Sequence, residues 1–271
     1  MLKRTIVGLV LAPVLLVVVL VLPKFVTALV AGAFSSIAVF ELLGSTKLVR
    51  NGRMLLYTTV AAFFVALWSY FDCPGVLGVL GVVGLYALLF SEIMLSDMKI
   101  PFSRLAMCMM AGLLIPYLLN SIVRILNMDE GRYYIMIPFV VAFMDDIGAY
   151  FVGSFFGKHK LCPNISPKKT VEGLFGGLIS AVVGMLIYCL ILQLGFRFQV
   201  NYLLAIVYGL VGALAGVFGD LTFSVIKRQT GIKDYGNIFP GHGGILDRFD
   251  SVVVVAPLIE VLLLLIPVGH L

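Results

Sequence analysis

Runs of about 18 to 22 apolar residues recur along the chain, and the stretches between them are short and rich in Lys, Arg, Gly and Pro. At about 1.5 Å of rise per residue, a helical run of that length matches the roughly 30 Å hydrocarbon core of a bilayer. The pattern predicts an all-α polytopic membrane protein with about nine transmembrane helices. These fall near residues 5–22, 25–44, 54–71, 75–95, 102–126, 133–152, 173–195, 201–226 and 252–268. The first run reads as a retained span rather than a signal peptide. Its apolar stretch exceeds a usual signal core, and no small-residue cleavage site precedes Pro23 and Lys24.

Composition agrees with this pattern. Of 271 residues, 61% are hydrophobic and 12% charged, too little charge to cover the surface of a soluble domain. The cations test the span count. With alternating loops, fifteen of the 19 Lys and Arg residues fall on one side, and Lys24, Arg124, Arg132 and Arg197 on the other. Positive residues concentrate in cytoplasmic loops, so the N-terminus is expected in the cytoplasm. The short loops favour a bacterial inner membrane. The net charge of +5 is mostly this asymmetry. No basic loop carries aromatic residues in series, so nucleic acid is not an expected partner; anionic lipids and anionic substrates are. Cys73, Cys108, Cys162 and Cys189 show no metal-ligand spacing, and no disulfide is expected among them.

The character of the chain changes near residue 130. Residues 1–130 read as transmembrane scaffold. Residues 131–271 carry the candidate chemistry, in two longer loops near 153–172 and 227–251 and in the helix ends that feed them. Gly209, Gly212, Gly216 and Gly219 form a stripe on one helix, which reads first as close helix packing. The same helix carries Asp220, Ser224 and Lys227 at i, i+4 and i+7, which places a carboxylate, a hydroxyl and an ammonium on one face.

Asp145 and Asp146 close an earlier span. Carboxylates there are costly and should face protein or water, and neighbours on a helix point about 100° apart. Asp146, one turn before Tyr150, is the stronger site candidate of the two. The loop 157–173 supplies Lys158, Lys160, Lys168 and Lys169 among Ser166, Thr170 and glycines, an arrangement able to order ammonium groups around a phosphate. His159 reads as a solvated loop residue. The densest stretch is 220–251, with four carboxylates and four cations set around five glycines. That mixture suits a polyphosphate with a divalent ion: carboxylates hold Mg²⁺, cations neutralise phosphate oxygens, and glycine backbones approach an anion closely.

Residues 224–250 resemble the signature of the phosphatidate cytidylyltransferases. The resemblance rests on Ser224, Lys227, Arg228, Lys233, Asp234, Gly236, Pro240, His242, Gly243, Gly244, Asp247, Arg248 and Asp250. It extends upstream through Gly219–Asp220, residues 166–173, residues 157–161, and Asp146 with Gly148, Ala149 and Tyr150, about half the chain in all. Asp145 has no counterpart in that pattern. The resemblance implies a nucleotidyltransferase that joins CTP and phosphatidate into CDP-diacylglycerol and pyrophosphate at the cytoplasmic face. It implies Mg²⁺ held by Asp220 and Asp247, with Asp146 and Asp250 as further ligands or supports, and a second metal or monovalent cation left open. Lys227, Arg228 and Arg248 are implied at the triphosphate. Lys168 and Lys169 are implied at the phosphatidate phosphate or over CTP, and His242 at phosphate or cytosine. Ser166, Ser224, Lys233, Gly243 and Gly244 complete the implied substrate-binding set. A homodimer is also consistent with the glycine-rich faces. The rival from another class is a secondary transporter for an anionic solute, disfavoured because the charges crowd at one membrane face rather than at the midplane. Closer rivals are a cytidylyltransferase acting on another lipid phosphate and a CTP-dependent lipid kinase, the latter disfavoured by the run from Pro240 to Asp250.

Overall fold

The computed structural model describes residues 13–239 and 243–270. Much of the first expected span therefore lies outside the described residues; its described end is helical and passes into a π turn at Val17–Val21. Among the described residues, seven helices are long and apolar enough to cross a membrane. They are α1, Lys24–Phe40, prolonged by a π turn at Glu41–Ser45; α2, Gly52–Phe71; α3, Gly75–Leu95; α4, the broken segment Phe102–Asn127; α5, Ile137–Phe156, preceded by a turn at Gly131–Tyr134; then, after a hairpin of β1 (Lys160–Cys162) and β2 (Ser166–Thr170), α6, Val171–Phe196; and, after strand β3 (Gln199–Val200), α7, Tyr202–Thr230. A four-residue turn α8, Leu246–Phe249, precedes α9, Val252–Leu265, and the short strand β4, Gly269–His270.

The expected count of about nine thus resolves into seven helices of spanning length among the described residues. The last expected span forms α9, whose 14 residues reach about 21 Å at helical rise, short of a hydrocarbon core.

Local chemistry sets the element ends. Pro23, Pro74 and Pro101 stand immediately before α1, α3 and α4, where a missing N–H costs nothing. The Asn51 side chain accepts from the backbone N–H of Arg53 (2.9 Å) and Met54 (3.2 Å), capping α2. That helix ends at Asp72 in a left-handed conformation, and the Trp68 indole donates to the Cys73 carbonyl at 2.9 Å. Inside α4, Asn120 Nδ2 donates to the Pro116 carbonyl at 2.7 Å and to Ser35 Oγ on α1 at 2.9 Å, which satisfies its amide N–H groups at the helix break, while its Oδ1 is buried with no hydrogen-bond partner among the described residues.

The chain divides into two compact units. One holds α1–α4 together with Gln229–Phe249; the other holds Met128–Arg228 together with Asp250–Leu271. In the first, α1 lies along α2, with Gly32 beneath Phe63 and Ala66, and the Phe34 ring meets Phe249 at 5.5 Å. In the second, α5 and α6 make the most intimate helix pair. A Cβ on Gly148 would stand 2.1 Å from Ser180 Oγ and 2.6 Å from the Gly176 carbonyl oxygen, and one on Gly176 only 2.4 Å from Val152 Cβ. Small residues let the backbones approach, the usual device for joining helices where lipid removes the hydrophobic drive. The α7 glycine stripe serves the same end, with Gly209 against Val182 of α6 and Gly212 against Val141 of α5. At the opposite end of this unit, β3 pairs antiparallel with β4, and the Tyr134 hydroxyl donates to the Gly269 carbonyl at 2.5 Å.

Candidate active site

In the second unit the charged ends of α5 and α7 and the lysine hairpin come together. The loop after α5 folds as an antiparallel hairpin with Lys160 opposite Thr170 and Cys162 opposite Ser166. Thr170 closes it: its hydroxyl accepts from the Gly173 N–H at 3.1 Å and so caps α6. Glu172, in the first turn of α6, accepts from the backbone N–H of Lys158 at 3.1 Å, and the exposed His159 ring meets its Oε1 at 2.6 Å. His159 is therefore a loop fastener at the solvent side. Arg228 adds a second tie, its Nε donating to the Ile165 carbonyl at 3.0 Å.

So held, the hairpin presents Lys160, Lys168 and Lys169 to a cavity of about 410 Å³ whose other wall includes Asp145, Asp146 and Tyr150. Lys169 Nζ pairs with Asp220 Oδ2, and Ser224 Oγ donates to Asp220 Oδ1 at 3.3 Å. The i, i+4 face read from α7 is thus real and turned toward the lysines. Both acids of the Asp145–Asp146 pair line the cavity, although they differ in burial. Asp145 is 3% exposed, seated over Gly177 of α6, where a Cβ would fall 2.1 Å from its Oδ1, and that oxygen is buried with no hydrogen-bond partner among the described residues. Asp146 is exposed. Asp250, at the foot of α9, takes the Ser251 N–H at 2.8 Å. Burial pushes its carboxyl well above the ordinary range. The charge of Asp220 adds to that push, Lys227 opposes it, and Asp146 contributes further.

The first unit holds the glycine-rich signature loop. Asp247 Oδ2 accepts from the backbone N–H of Tyr235 at 2.7 Å and of Gly244 at 3.0 Å, so this acid organises its own loop from a buried position. Gly243 takes φ +86°, a left-handed conformation that L side chains rarely adopt, and its carbonyl accepts from the Phe239 N–H at 3.0 Å. Lys233 and Arg248 are exposed. His242, like Pro240 and Gly241, lies outside the described residues.

One residue in this loop's surroundings escaped the sequence reading. Glu41, 4% exposed at the junction of α1 and its π turn, accepts from the backbone N–H of Ile245 (3.1 Å) and Leu246 (2.9 Å). It lay in a stretch read as scaffold, and the one available signal was a carboxylate inside an apolar run.

Among the described residues, no three His, Cys, Asp or Glu side chains stand close enough to make a ready metal-binding cluster. The donor chemistry of the second unit nonetheless fits a hard divalent cation. Its oxygens are carboxylates, Asp145 Oδ1 is buried and unpartnered, and Asp250 is held under repulsion from Asp220 and Asp146 that a cation relieves.

A helical membrane protein with a lysine-and-carboxylate cavity at its helix ends is the kind of molecule these features define. Comparison with known proteins makes the class specific. The family model described as "Cytidylyltransferase family" matches residues 2–266, and the chain belongs to that family. It is similar to phosphatidate cytidylyltransferase of Bacillus subtilis, 35% identical over 97% of this chain and 98% of the relative. It is also similar to the enzymes of the same name from Staphylococcus saprophyticus, 34% identical over 80% of this chain and 92% of the relative, and Staphylococcus epidermidis, 37% identical over 68% of each. The chain is accordingly a membrane nucleotidyltransferase of phospholipid synthesis.

Proposed function

We propose a metal-assisted, charge-stabilised route for the reaction that this membership assigns. The chain is a phosphatidate cytidylyltransferase, joining CTP and phosphatidate to give CDP-diacylglycerol and pyrophosphate. A phosphate oxygen of phosphatidate attacks the α-phosphorus of CTP, the bond from that phosphorus to the bridging oxygen breaks, and the electron pair leaves on pyrophosphate. Phosphate monoesters have a second pKa near about 6, so the nucleophile is already ionised and needs no general base. His242 accordingly has a binding role, at phosphate or cytosine. Bound Mg²⁺ would supply positive charge to the phosphate oxygens; Asp220, Asp146 and Asp250 of the second unit are its proposed holders, and Asp247 is the further holder that the family resemblance implies. Lys227, Arg228 and Arg248 neutralise the triphosphate and the departing pyrophosphate, while Lys233 and Gly243 line the nucleotide's approach and the buried Gly244 supports that loop from behind. Ser224 orients Asp220, and Ser166 starts the strand that carries the lysines.

The observation that carries this reading is the cavity in which Lys168 and Lys169 face acids. It also favours one assignment for those lysines. The side-chain polar groups on its wall are ammonium, carboxylate and hydroxyl, with no carboxamide to read a cytosine edge, and Tyr150 of α5, which lines it, is exposed. An exposed tyrosine near a helix end suits the membrane interface, where a lipid phosphate resides. Lys168 and Lys169 therefore hold the phosphatidate phosphate. The fifteen-to-four asymmetry of Lys and Arg supports a cytoplasmic N-terminus and a cytoplasm-facing site in a bacterial inner membrane.

Purified protein given CTP labelled at the α-phosphate, phosphatidate and Mg²⁺ in mixed micelles should pass label into the organic phase, and EDTA should abolish the transfer. Labelled lipid in the presence of EDTA would remove the metal from the route. Lys168→Ala should raise the KM for phosphatidate about 10-fold to 100-fold, the equivalent of one charge-assisted contact, and leave the KM for CTP nearly unchanged. A larger shift in the CTP constant would move this lysine to the nucleotide.

A further inference from the structure

Glu41 is remote in sequence from every residue of the signature, 204 positions before Ile245, yet its carboxylate sits inside the signature loop. Each carboxylate oxygen takes one loop N–H, Oε1 from Ile245 and Oε2 from Leu246. The loop also fits around it: a Cβ on Gly236 would fall 2.1 Å from Oε1, and one on Gly244 2.2 Å from Oε1 and 2.3 Å from Oε2. Gly236 and Gly244, two small residues of the signature, are small because Glu41 occupies the space their side chains would need. On its other side Gly244 donates its N–H to Asp247. Gly244 thus lies between two carboxylates, one fastening the loop to α1 and one fastening it to itself. The helix changes its winding at this residue, since the π turn begins at Glu41. A change from α to π winding redirects a side chain, and such turns recur at functional sites.

We propose that Glu41 is a positioning residue for cytidylyl transfer: it holds the backbone of Gly244–Leu246 in the conformation that presents Asp247 and Arg248 to the nucleotide and its metal. The proposal rests on the function stated above. Glu41 touches no substrate and acts through the loop. A carboxylate is required because both bonds run from backbone N–H donors. The isosteric amide keeps one acceptor and turns an NH₂ group against the second donor.

The test compares Glu41→Gln, Glu41→Ala, Gly244→Ala and the double variant Glu41→Ala/Gly244→Ala with the parent protein in the labelled-CTP assay, alongside detergent melting curves, the two alanine singles and their double closing the cycle. Glu41→Gln should melt roughly 2–10 °C below the parent, because one buried loop donor loses its acceptor, and remain folded in the assay. It should lose about 10-fold to 100-fold in kcat and need more Mg²⁺ for half-maximal rate, as expected for a support lying behind active groups, while the KM for phosphatidate stays unchanged. Gly244→Ala should show the same signature. In the double variant the vacated carboxylate space admits the new methyl, so the two defects should combine to much less than their product. Unchanged kcat and Mg²⁺ requirement per folded molecule in Glu41→Gln would overturn the proposal, as would strictly multiplicative defects. Should the Glu41 single variants fail to fold, Gly244→Ala decides alone: normal turnover and Mg²⁺ requirement in it overturn the proposal. A parent protein that makes no labelled lipid would instead refute the assigned reaction.

Discussion

Asp220→Asn is expected to lower turnover by at least about 100-fold while leaving the protein folded, the scale on which single oriented electrostatic groups act in a transition state. Asp220 is the point where the strands of the proposed mechanism cross in the second unit. It pairs with Lys169 of the hairpin, accepts from Ser224 one turn along its own helix, and raises the carboxyl of Asp250 by repulsion. The amide removes the charge that a cation would neutralise and frees Lys169 from its partner, so both substrate-facing groups are disturbed together. Stability should respond differently. The Lys169–Asp220 side chains are 24% and 23% exposed, and ion pairs reached by solvent contribute on the order of 0–1 kcal/mol. Against that small loss stands relief of repulsion among Asp146, Asp220 and Asp250, so the melting point should hold or rise. Turnover across a Mg²⁺ titration, measured beside a melting curve, separates the two effects. Near-parental turnover with the parental Mg²⁺ requirement would remove Asp220 from the metal site.

The seven long apolar helices were legible in the sequence because the bilayer demands long uninterrupted apolar runs, a requirement local in sequence, while the last expected span falls short of that length as α9. The face shared by Asp220 and Ser224 was equally legible, since helical period alone places residues four apart together. Three features were hidden, each for a physical reason. The loop at 157–173 reads as lysines ordered by Ser166, Thr170 and glycines, but its hairpin was hidden, because the bonds of Thr170, Glu172 and Arg228 that fasten it become visible only in three dimensions. Asp146 was the choice of the two acids for standing one turn before Tyr150, and the pattern could not show that Asp145 is the buried one: α6 opens a glycine at Gly177 and α7 another at Gly216, and Asp145 sits between them. Glu41 was read as part of a scaffold helix because its partners are backbone N–H groups two hundred residues away, which leave no mark in a residue pattern.

The largest effect on folding is expected where α5 meets α6. Alanine at Gly148 would place a methyl 2.1 Å from Ser180 Oγ and 2.6 Å from the Gly176 carbonyl oxygen. The serine side chain can rotate away, but the carbonyl belongs to helix backbone and can move only if α6 moves with it. Overpacking of this kind costs about 1–3 kcal/mol, so Gly148→Ala should melt roughly 3–10 °C lower, and Gly148→Leu should fail to accumulate as folded protein. Activity should fall further than stability. The same helix pair carries Asp145 and Asp146 on α5 and joins the lysine hairpin directly to α6, so widening it separates acids from ammonium groups across the cavity. Gly195→Ala is the matched control: it lies on α6 with no atom within 4 Å of an added Cβ, and helix propensity there favours alanine by about 0.5–1 kcal/mol. If Gly148→Ala proved as stable and as active as Gly195→Ala, close approach of these two helices would not be what holds the second unit's site together, and the hairpin's own fastenings would have to do so.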